Sequence, residues 1–497
     1  MVFASNLFII SFAALVPIYM LLVGKFSVNA RYLLIFLSLA FYTYWLPPYL
    51  FVLLGSIAFN YAIARSILVD ESEASRKLKL WLGAFANLSM LAYFKYYNFF
   101  FQEIMSVFGH EFEISKLALP LGISFFTFQQ ISFIADVYSR KVHKINLVDY
   151  SLFISFFPQL IAGPIVSHAE MLPQLERKKN WQIRADHFAI GFFIFSIGLF
   201  KKSFLIDPYT PFIDIIFDTA NNGSAIDLVD GWTAAIGYSF QIYFDFSGYS
   251  DMAIGLALIF GLKLPINFFS PYKAASVREF WQRWHITLSR MLQRFLYIPF
   301  GGSRNGTLRT IIALIGTMTI GGLWHGAGWQ FIIWGVLHGV FLCINHLWAK
   351  IRNHHVFLSI LCRTRIWKMA MVLMTFLALA FSWVFFRAEN MGSAWLIIEG
   401  MLGVNGIGDV SKLNRGIAPA FPIYFIIIWA LPNTMQIFGR FPVALIPERF
   451  SNQIFRKSFL PFLRFRMTPF SAVLTIFIFL MGWFSLSNLS PFIYFQF

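Results

Sequence analysis

Residues 7–22 of this 497-residue chain have the sequence LFIISFAALVPIYMLL, which contains no charged side chain. Comparable apolar runs of roughly 17 to 25 residues recur along the chain, and each can cross a hydrocarbon core of about 30 Å as a helix. Hydrophobic residues make up 58% of the sequence and charged residues 12%, which excludes an ordinary soluble domain. The sequence therefore predicts an all-α polytopic membrane protein. Because the first run lacks a basic n-region and a small-residue cleavage site, we expect it to be a retained helix rather than a signal peptide.

The apolar runs predict about 11–12 transmembrane helices within one membrane domain, residues 1–497. The predicted helices lie near residues 3–22, 32–46, 48–67, 80–102, 119–137, 187–205, 231–260, 309–323, 328–348, 366–386, 418–438 and 467–490. Residues 147–166 are apolar but interrupted by Pro158, Gly163 and Pro164, so we predict a re-entrant segment there. Non-helical backbone at membrane depth needs protein or water around it, and this segment therefore also predicts an internal chamber.

The net charge of +16 comes mainly from short loops between apolar runs, where basic residues indicate topology rather than nucleic-acid binding. Loops 350–368 and 440–466 are predicted to be cytoplasmic by the positive-inside rule. The acidic segment 207–230 and the loop with Glu103, Glu111 and Glu113 are predicted on the outer side, as are both termini. Two cysteines, at positions 343 and 362, offer neither a disulfide framework nor a metal-ligand cluster.

A histidine interrupts the apolar sequence at residues 321–327, GGLWHGA. An ionisable group is costly at membrane depth and usually marks function, although a packing role for His325 remains an even alternative on chemistry alone. Two further histidines, His285 and His338, lie nearby in sequence, and their own surroundings favour structural roles. Residues 276–290 predict an interfacial helix on which His285 shares a face with Arg278 and Trp281.

Two carboxylates, Asp245 and Asp251, lie in the otherwise apolar run 237–251. Lipid cannot surround them throughout. A pairing with Lys or Arg inside the helical bundle is favoured over a direct catalytic role, because a buried charge requires a partner.

Three runs resemble the membrane-bound O-acyltransferase family in order and spacing: DFSGYSD at 245–251, EFWQRWH at 279–285 and GLWHG at 322–326. Residues 1–6 (MVFASN), 157–164 (FPQLIAGP) and 490–497 (SPFIYFQF) resemble the bacterial branch that contains the membrane subunit of alginate O-acetylation. The chain is more distantly similar to the transferase that D-alanylates teichoic acid. The resemblance covers nearly the whole sequence.

The resemblance implies a ring of tilted helices around a central funnel that meets a narrow passage, with the family core at 119–348 and additional C-terminal helices at 349–497. It implies that His325 lies where funnel and passage meet, and that His285 has a supporting role. The residues expected along the substrate path are Asp245, Asn267, Arg283, Arg290, Trp324 and His338. The cluster of Arg283, Arg290 and Arg294 is expected to guide the phosphates of coenzyme A.

The activity that the resemblance implies is transfer of an acetyl group from cytoplasmic acetyl-CoA across the bacterial inner membrane. The acceptor would be an extracytoplasmic polysaccharide such as alginate, reached with the help of periplasmic acetyltransferase proteins. Membrane lipid is an expected partner, whereas nucleic acid, metal and a bound cofactor are not.

Elementary chemistry allows two roles for His325 in such a reaction. A neutral imidazole near pH 7 can remove the acceptor's proton, which typically contributes about 10² to 10⁴-fold, or it can form an acyl-imidazole itself. Asn267, His285 or a backbone N–H could stabilise the oxyanion. Two other functions remain open: D-alanyl transfer from a carrier-protein thioester, and secondary transport with a proton-coupled histidine.

Overall fold

The computed structural model describes residues 3–44, 47–107, 118–414, 416–455 and 463–486. Within those ranges the regular structure is helical, which confirms the predicted all-α class. The first helices are α1 Asn6–Gly24, α2 Ala30–Thr43, α3 Tyr49–Val69, α4 Glu73–Leu91, α5 Tyr97–Val107, α6 Ile123–Tyr138, α7 Leu147–Ser155, α8 Phe157–Leu160, α9 His168–Glu176, α10 Ala185–Leu199, α11 Thr210–Asn221 and α12 Leu228–Ile259. The remaining helices are α13 Val277–Arg283, α14 Ile286–Leu292, α15 Gly306–His325, α16 Trp329–His354, α17 Val356–Leu361, α18 Arg365–Arg387, α19 Met391–Met401, α20 Phe421–Trp429, α21 Thr434–Ile437, α22 Glu448–Phe455 and α23 Pro469–Phe484.

Several of these helices are long and apolar enough to cross a membrane. Among the described residues, six spans meet both criteria: Asn6–Gly24, Tyr49–Val69, Ala185–Asn221, Gly306–His325, Trp329–His354 and Arg365–Arg387. Shorter apolar helices at Ala30–Thr43, Ala418–Trp429 and Pro469–Phe484 add further hydrophobic surface. The chain is therefore a multi-pass membrane protein, as its composition predicted.

Helix α12 lies at the centre of the molecule and is buried almost continuously from Gly231 to its last turn. Its principal neighbour is α10, and the two backbones approach closely through facing glycines. A Cβ on Gly198 would lie 2.4 Å from the carbonyl oxygen of Gly248, and one on Gly248 would lie 2.7 Å from the carbonyl oxygen of Gly198. Small residues allow such close packing where apolar surface alone provides little driving force between helices.

The predicted re-entrant segment is broken where the sequence indicated. Helix α7 ends at Ser155, and the backbone turns at Phe156 before the short helix α8. Residues 161–167 that follow are irregular, and most of the segment is buried in protein. Its backbone is thus surrounded by the polypeptide itself, which is the condition that membrane depth imposes.

Other boundaries differ from the predictions. Segment 207–230, predicted as an outer loop, contains α11, and the unpredicted α19 follows α18. The predicted helix 418–438 ends at Trp429, shortly before Pro432, which has no N–H to continue the helix. Several predictions fall outside the described residues. They concern residues 45–46 and 487–490 of two predicted helices, the acidic residues Glu111 and Glu113, the side chain of Glu103, and the motif residues 1–2 and 490–497.

Candidate active site

The hairpin of α15 and α16 presents His325 at its tip. His325 is the last residue of α15, and three residues later the chain turns into α16. Close approach of the two helices requires glycine, because a Cβ on Gly322 would lie 2.2 Å from the carbonyl oxygen of Phe331 and one on Gly335 would lie 2.3 Å from that of Met318. Gly322, three residues before His325 in the sequence, and Gly335 thus set the spacing of the hairpin.

Aromatic rings enclose the imidazole of His325. Its ring centroid lies 4.9 Å from that of Trp324, 5.1 Å from that of Phe386 and 5.2 Å from that of Trp334. The residue is 5% exposed. An imidazole in such an apolar environment is favoured in its neutral form, which is the form that accepts a proton.

His285 also lies near the ring of Trp324. The centroid of its ring is 6.4 Å from that of Trp324 and 4.9 Å from that of Phe246, and the residue is fully buried. The prediction that His285 shares a helical face with Arg278 and Trp281 was wrong, because α13 ends at Arg283 and α14 begins at Ile286. His285 joins the two helices with φ of +39°, a left-handed conformation that is strained for a residue other than glycine and is enriched at functional sites.

Asn267 anchors the backbone next to His285. Its carbonyl oxygen accepts a hydrogen bond from the N–H of Ile286 at 3.0 Å, and its Oδ1 accepts one from Oγ1 of Thr287 at 2.6 Å. Thr287 also accepts a hydrogen bond from the N–H of Ile165, in the irregular segment after α8. Asn267 therefore holds the start of α14 and the strained residue that precedes it.

His338 is fully buried, and its ring nitrogens are engaged by two side chains. The Nε1–H of Trp281 donates to Nδ1 of His338 at 3.2 Å, and Oγ of Ser382 lies 3.1 Å from Nε2. An indole can only donate, so Nδ1 is the acceptor and the proton of neutral His338 resides on Nε2. The hydroxyl of Ser382 in turn donates to the carbonyl of Leu379. This chain of hydrogen bonds fixes His338 as a packing residue behind Trp334.

The two carboxylates of α12 pair with lysines, as the sequence predicted. Nζ of Lys202 lies 2.6 Å from a carboxylate oxygen of Asp245 and 2.7 Å from one of Asp207. Nζ of Lys201 lies 2.6 Å from Asp251. The adjacent lysines belong to a π-helical segment, Phe200–Ile206, that continues α10. The ion pairs join α10 to α12 inside the bundle.

The three predicted phosphate-binding arginines have different surroundings. Arg283 donates to Oε1 of Glu279 at 2.8 Å and to the carbonyl of Phe269, and Arg294 pairs with the buried Asp136. Arg290 pairs with Glu170 at 2.9 Å but is 44% exposed. Of these three arginines, Arg290 alone lines the cavity between α13, α14, α15, α16 and α22.

A cavity of about 500 Å³ lies between α13, α14, α15, α16 and α22. Its described lining contains the cationic side chains of Arg278, Arg290 and Arg449 together with His346, and no carboxylate. Burial, followed by the charges of Arg290 and Arg283, lowers the pKa of the Arg449 guanidinium from its ordinary value. The cavity is thus a concentration of positive charge, to which an anion would be attracted.

Two tryptophans connect this cavity with His325. Trp281 lines the cavity, and its ring centroid lies 5.9 Å from that of Trp334. Trp334 lies at 5.2 Å from His325. The aromatic wall of the cavity therefore adjoins the rings that enclose His325.

Sequence reasoning missed Arg278 and Arg449 as cavity residues and missed Lys95 altogether. Nζ of Lys95 lies 2.6 Å from the carbonyl oxygen of Trp324 and 2.9 Å from that of His325. The signal for Lys95 was present, since a lysine within the predicted helix 80–102 is an ionisable group at membrane depth like His325. The contributions of the two arginines depend on tertiary packing and had no comparable signal.

These features define a polytopic membrane protein with a buried histidine whose aromatic enclosure adjoins a basic cavity. Residues 79–386 match the model of the membrane-bound O-acyltransferase family. The chain belongs to this family and is a membrane O-acyltransferase, which confirms the resemblance and sets the transporter alternative aside.

Curated relatives agree with this assignment. The peptidoglycan O-acetyltransferase of Helicobacter pylori is 44% identical over 400 residues, which cover 75% of this chain and 74% of the relative. The probable alginate O-acetylase AlgI of Pseudomonas aeruginosa is 38% identical over 425 residues, covering 84% of this chain and 77% of that protein. A teichoic acid D-alanyltransferase of Streptococcus thermophilus is 27% identical over 245 residues, covering 46% of this chain and 57% of that protein.

Proposed function

We propose that this protein takes an acetyl group from acetyl-CoA on the cytoplasmic side of a bacterial inner membrane and delivers it to an extracytoplasmic polysaccharide. The observation that carries the proposal is the basic cavity whose inner wall reaches His325 through Trp281 and Trp334. A donor with phosphates at one end and a thioester at the other matches a positively charged entrance that leads to a buried imidazole.

The orientation of the cavity supports a cytoplasmic donor. Arg449 belongs to the basic region 440–466, which the positive-inside rule places in the cytoplasm. Guanidinium groups bind phosphate oxygens through paired hydrogen bonds, and three such groups line the cavity. The cavity would therefore receive the phosphates while the acetyl thioester lies towards the two tryptophans.

The chemical step is acyl transfer to a hydroxyl. The acceptor oxygen attacks the thioester carbonyl as neutral His325 removes the hydroxyl proton, and the carbon–sulfur bond then breaks. The imidazolium returns that proton to the thiolate, so that an O-acetyl ester and coenzyme A are produced. An acyl-imidazole that passes the acetyl group on in a second step is the alternative route.

The acceptor is inferred from the relatives' names, which concern peptidoglycan and alginate. Both are envelope or extracellular polysaccharides, so a polysaccharide hydroxyl is the proposed acceptor class. Periplasmic acetyltransferase proteins are proposed to receive the acetyl group and select the polymer. The teichoic acid D-alanyltransferase relative supports a second candidate, in which a carrier-protein thioester replaces acetyl-CoA.

The proposal is tested with His325→Ala in cells that carry the complete acetylation system. We expect base-releasable acetate on envelope polysaccharide to fall to background while the protein still accumulates in the membrane. His143→Ala is the matched control, because this histidine is exposed and outside the site. Normal acetylation in His325→Ala would overturn the role of the histidine.

The donor is tested separately with everted membrane vesicles. Release of the coenzyme A thiol from acetyl-CoA should depend on His325. Transfer of label from a D-alanyl carrier protein, with no turnover of acetyl-CoA, would instead establish the second candidate.

A further inference from the structure

The last four carbonyl groups of α15 all have hydrogen-bond donors. The C-terminal carbonyls of a helix have no partner within the helix and need one from elsewhere. The N–H of Gly326 donates to the carbonyl of Gly322 at 3.4 Å, which leaves the carbonyls of residues 323–325. The hydroxyl of Tyr96 donates to Leu323 at 2.9 Å, and Lys95 donates to the other two.

Lys95 and Tyr96 are thus adjacent residues that complete the helix end bearing His325, although more than two hundred positions separate them from it in sequence. They lie in a π-helical turn, Ala92–Tyr96, between α4 and α5. Single π-helical turns inside α-helices are frequent at functional sites. The turn directs both side chains to the same helix end.

The amine of Lys95 is suited to this contact because it donates to two carbonyls at once. A helix C-terminus carries partial negative charge, which favours a nearby hydrogen-bond donor. Nζ of Lys95 also lies 5.9 Å from the centroid of the Trp324 ring. The Lys95 amine therefore contacts the backbone of both Trp324 and His325 and lies near the Trp324 ring.

We propose that Lys95, assisted by Tyr96, is a positioning residue that fixes the last turn of α15 and thereby the direction of the His325 imidazole. The inference rests on the proposed function of His325. Acyl transfer requires the base within hydrogen-bond reach of the acceptor hydroxyl, and a displacement of about 1 Å can cost about 100-fold in rate. Lys95 does not itself contact the reacting groups.

A purely structural role and a positioning role predict different kinetics. Substitution of a purely structural residue would lower the amount of folded protein. Substitution of a positioning residue would lower kcat of the protein that is folded. KM for acetyl-CoA should change little, because neither Lys95 nor Tyr96 lines the basic cavity. Replacement by arginine should restore part of the rate, since a guanidinium can also donate to two carbonyls.

The experiment measures initial rates of coenzyme A release in everted vesicles, normalised to folded protein, for Lys95→Met, Lys95→Arg and Tyr96→Phe. We expect Lys95→Met to lower kcat at least tenfold with KM for acetyl-CoA within about twofold of wild type, and Lys95→Arg to recover a substantial part. Tyr96→Phe removes one hydrogen bond and should lower kcat about two- to tenfold. Lys79→Met is the matched control, because Lys79 lies on α4 and pairs with Asp70 instead.

The outcomes separate this inference from the proposed function. Full activity in His325→Ala would reject the proposed function, and with it the inference. Two results would reject the inference alone, provided that His325→Ala is inactive. One is a normal kcat in Lys95→Met, and the other is a loss of kcat in Lys79→Met equal to that in Lys95→Met. If Lys95→Met does not accumulate, Tyr96→Phe decides: a lowered kcat supports positioning, and an unchanged kcat overturns it.

Discussion

The two buried histidines of the α15–α16 hairpin, His325 and His338, differ in the side chains that surround them. Nδ1 of His338 accepts a hydrogen bond from the indole N–H of Trp281, and Nε2 lies 3.1 Å from Oγ of Ser382, so two side chains fix the tautomer of neutral His338. His325 is surrounded by the rings of Trp324, Trp334 and Phe386. At the scale of single residues, the hydrogen bonds of His338 therefore indicate a packing role, whereas the position of His325 at the end of α15 within an aromatic enclosure suits a candidate base.

His338→Ala should consequently lower stability. The substitution leaves the buried N–H of Trp281 without its acceptor, which costs about 1–3 kcal/mol, and adds the cost of a cavity. The measurement is the thermal midpoint of the detergent-solubilised protein. His143→Ala should leave that midpoint unchanged. An unaltered midpoint in His338→Ala would contradict the structural role.

At the scale of single residues, the sequence predictions succeeded where an ionisable side chain interrupts an apolar run, because burying such a group is energetically costly. The ionisable residue in GGLWHGA and the carboxylates of α12 were recognised because they interrupt apolar sequence, and the predicted pairing of Asp245 with a lysine is confirmed. The left-handed backbone of His285 could not be predicted, because glycine is the usual signal for that conformation. The lining role of Arg449 depends on α22 packing beside α13, and the sequence contains no signal for that contact.

Among the helical elements, the α15–α16 hairpin is the one on which the site depends. Its two helices were predicted within a few residues, because each is a long apolar run. By contrast, the interfacial helix expected over 276–290 is two short helices, and α11 lies where polar residues suggested a loop. Periodicity thus identified the spanning elements but not the short ones whose ends tertiary contacts determine.

Gly322→Ala tests the hairpin directly. The added Cβ would lie 2.2 Å from the carbonyl oxygen of Phe331, so α15 and α16 must separate and the last turn of α15 must shift. We expect at least a tenfold loss of acetyl transfer per folded molecule, since the base is displaced. Gly55→Ala in α3 is the control, because its Cβ would have no neighbour within 4 Å. Equal activities of the two variants would show that hairpin spacing does not control the site.

At the scale of the whole molecule, sequence-distant elements assemble around the basic cavity and His325. The basic cavity takes residues from α13, α14, α15, α16 and α22, and the contact that completes α15 comes from the turn between α4 and α5. Helix α12, held to α10 by glycine contacts and by the ion pairs of Lys201 and Lys202, forms the buried centre. The arrangement places positive charge in the cavity and aromatic side chains around His325.

Because the arginines line the cavity and not the surroundings of His325, we predict that they affect binding of the donor rather than the chemical step. Arg278→Gln should raise KM for acetyl-CoA about tenfold with kcat maintained, because a charge-assisted hydrogen bond contributes about 1.5–3 kcal/mol. Adding Arg449→Gln should raise KM further. High salt screens the charges of the cavity arginines. It should therefore raise KM more in the wild type than in the double variant, which has fewer of these charges to screen. Arg65→Gln, an exposed position outside the cavity, is the control. A fall in kcat at unchanged KM would instead place Arg278 in the chemical step and contradict the assignment of the cavity as the donor entrance.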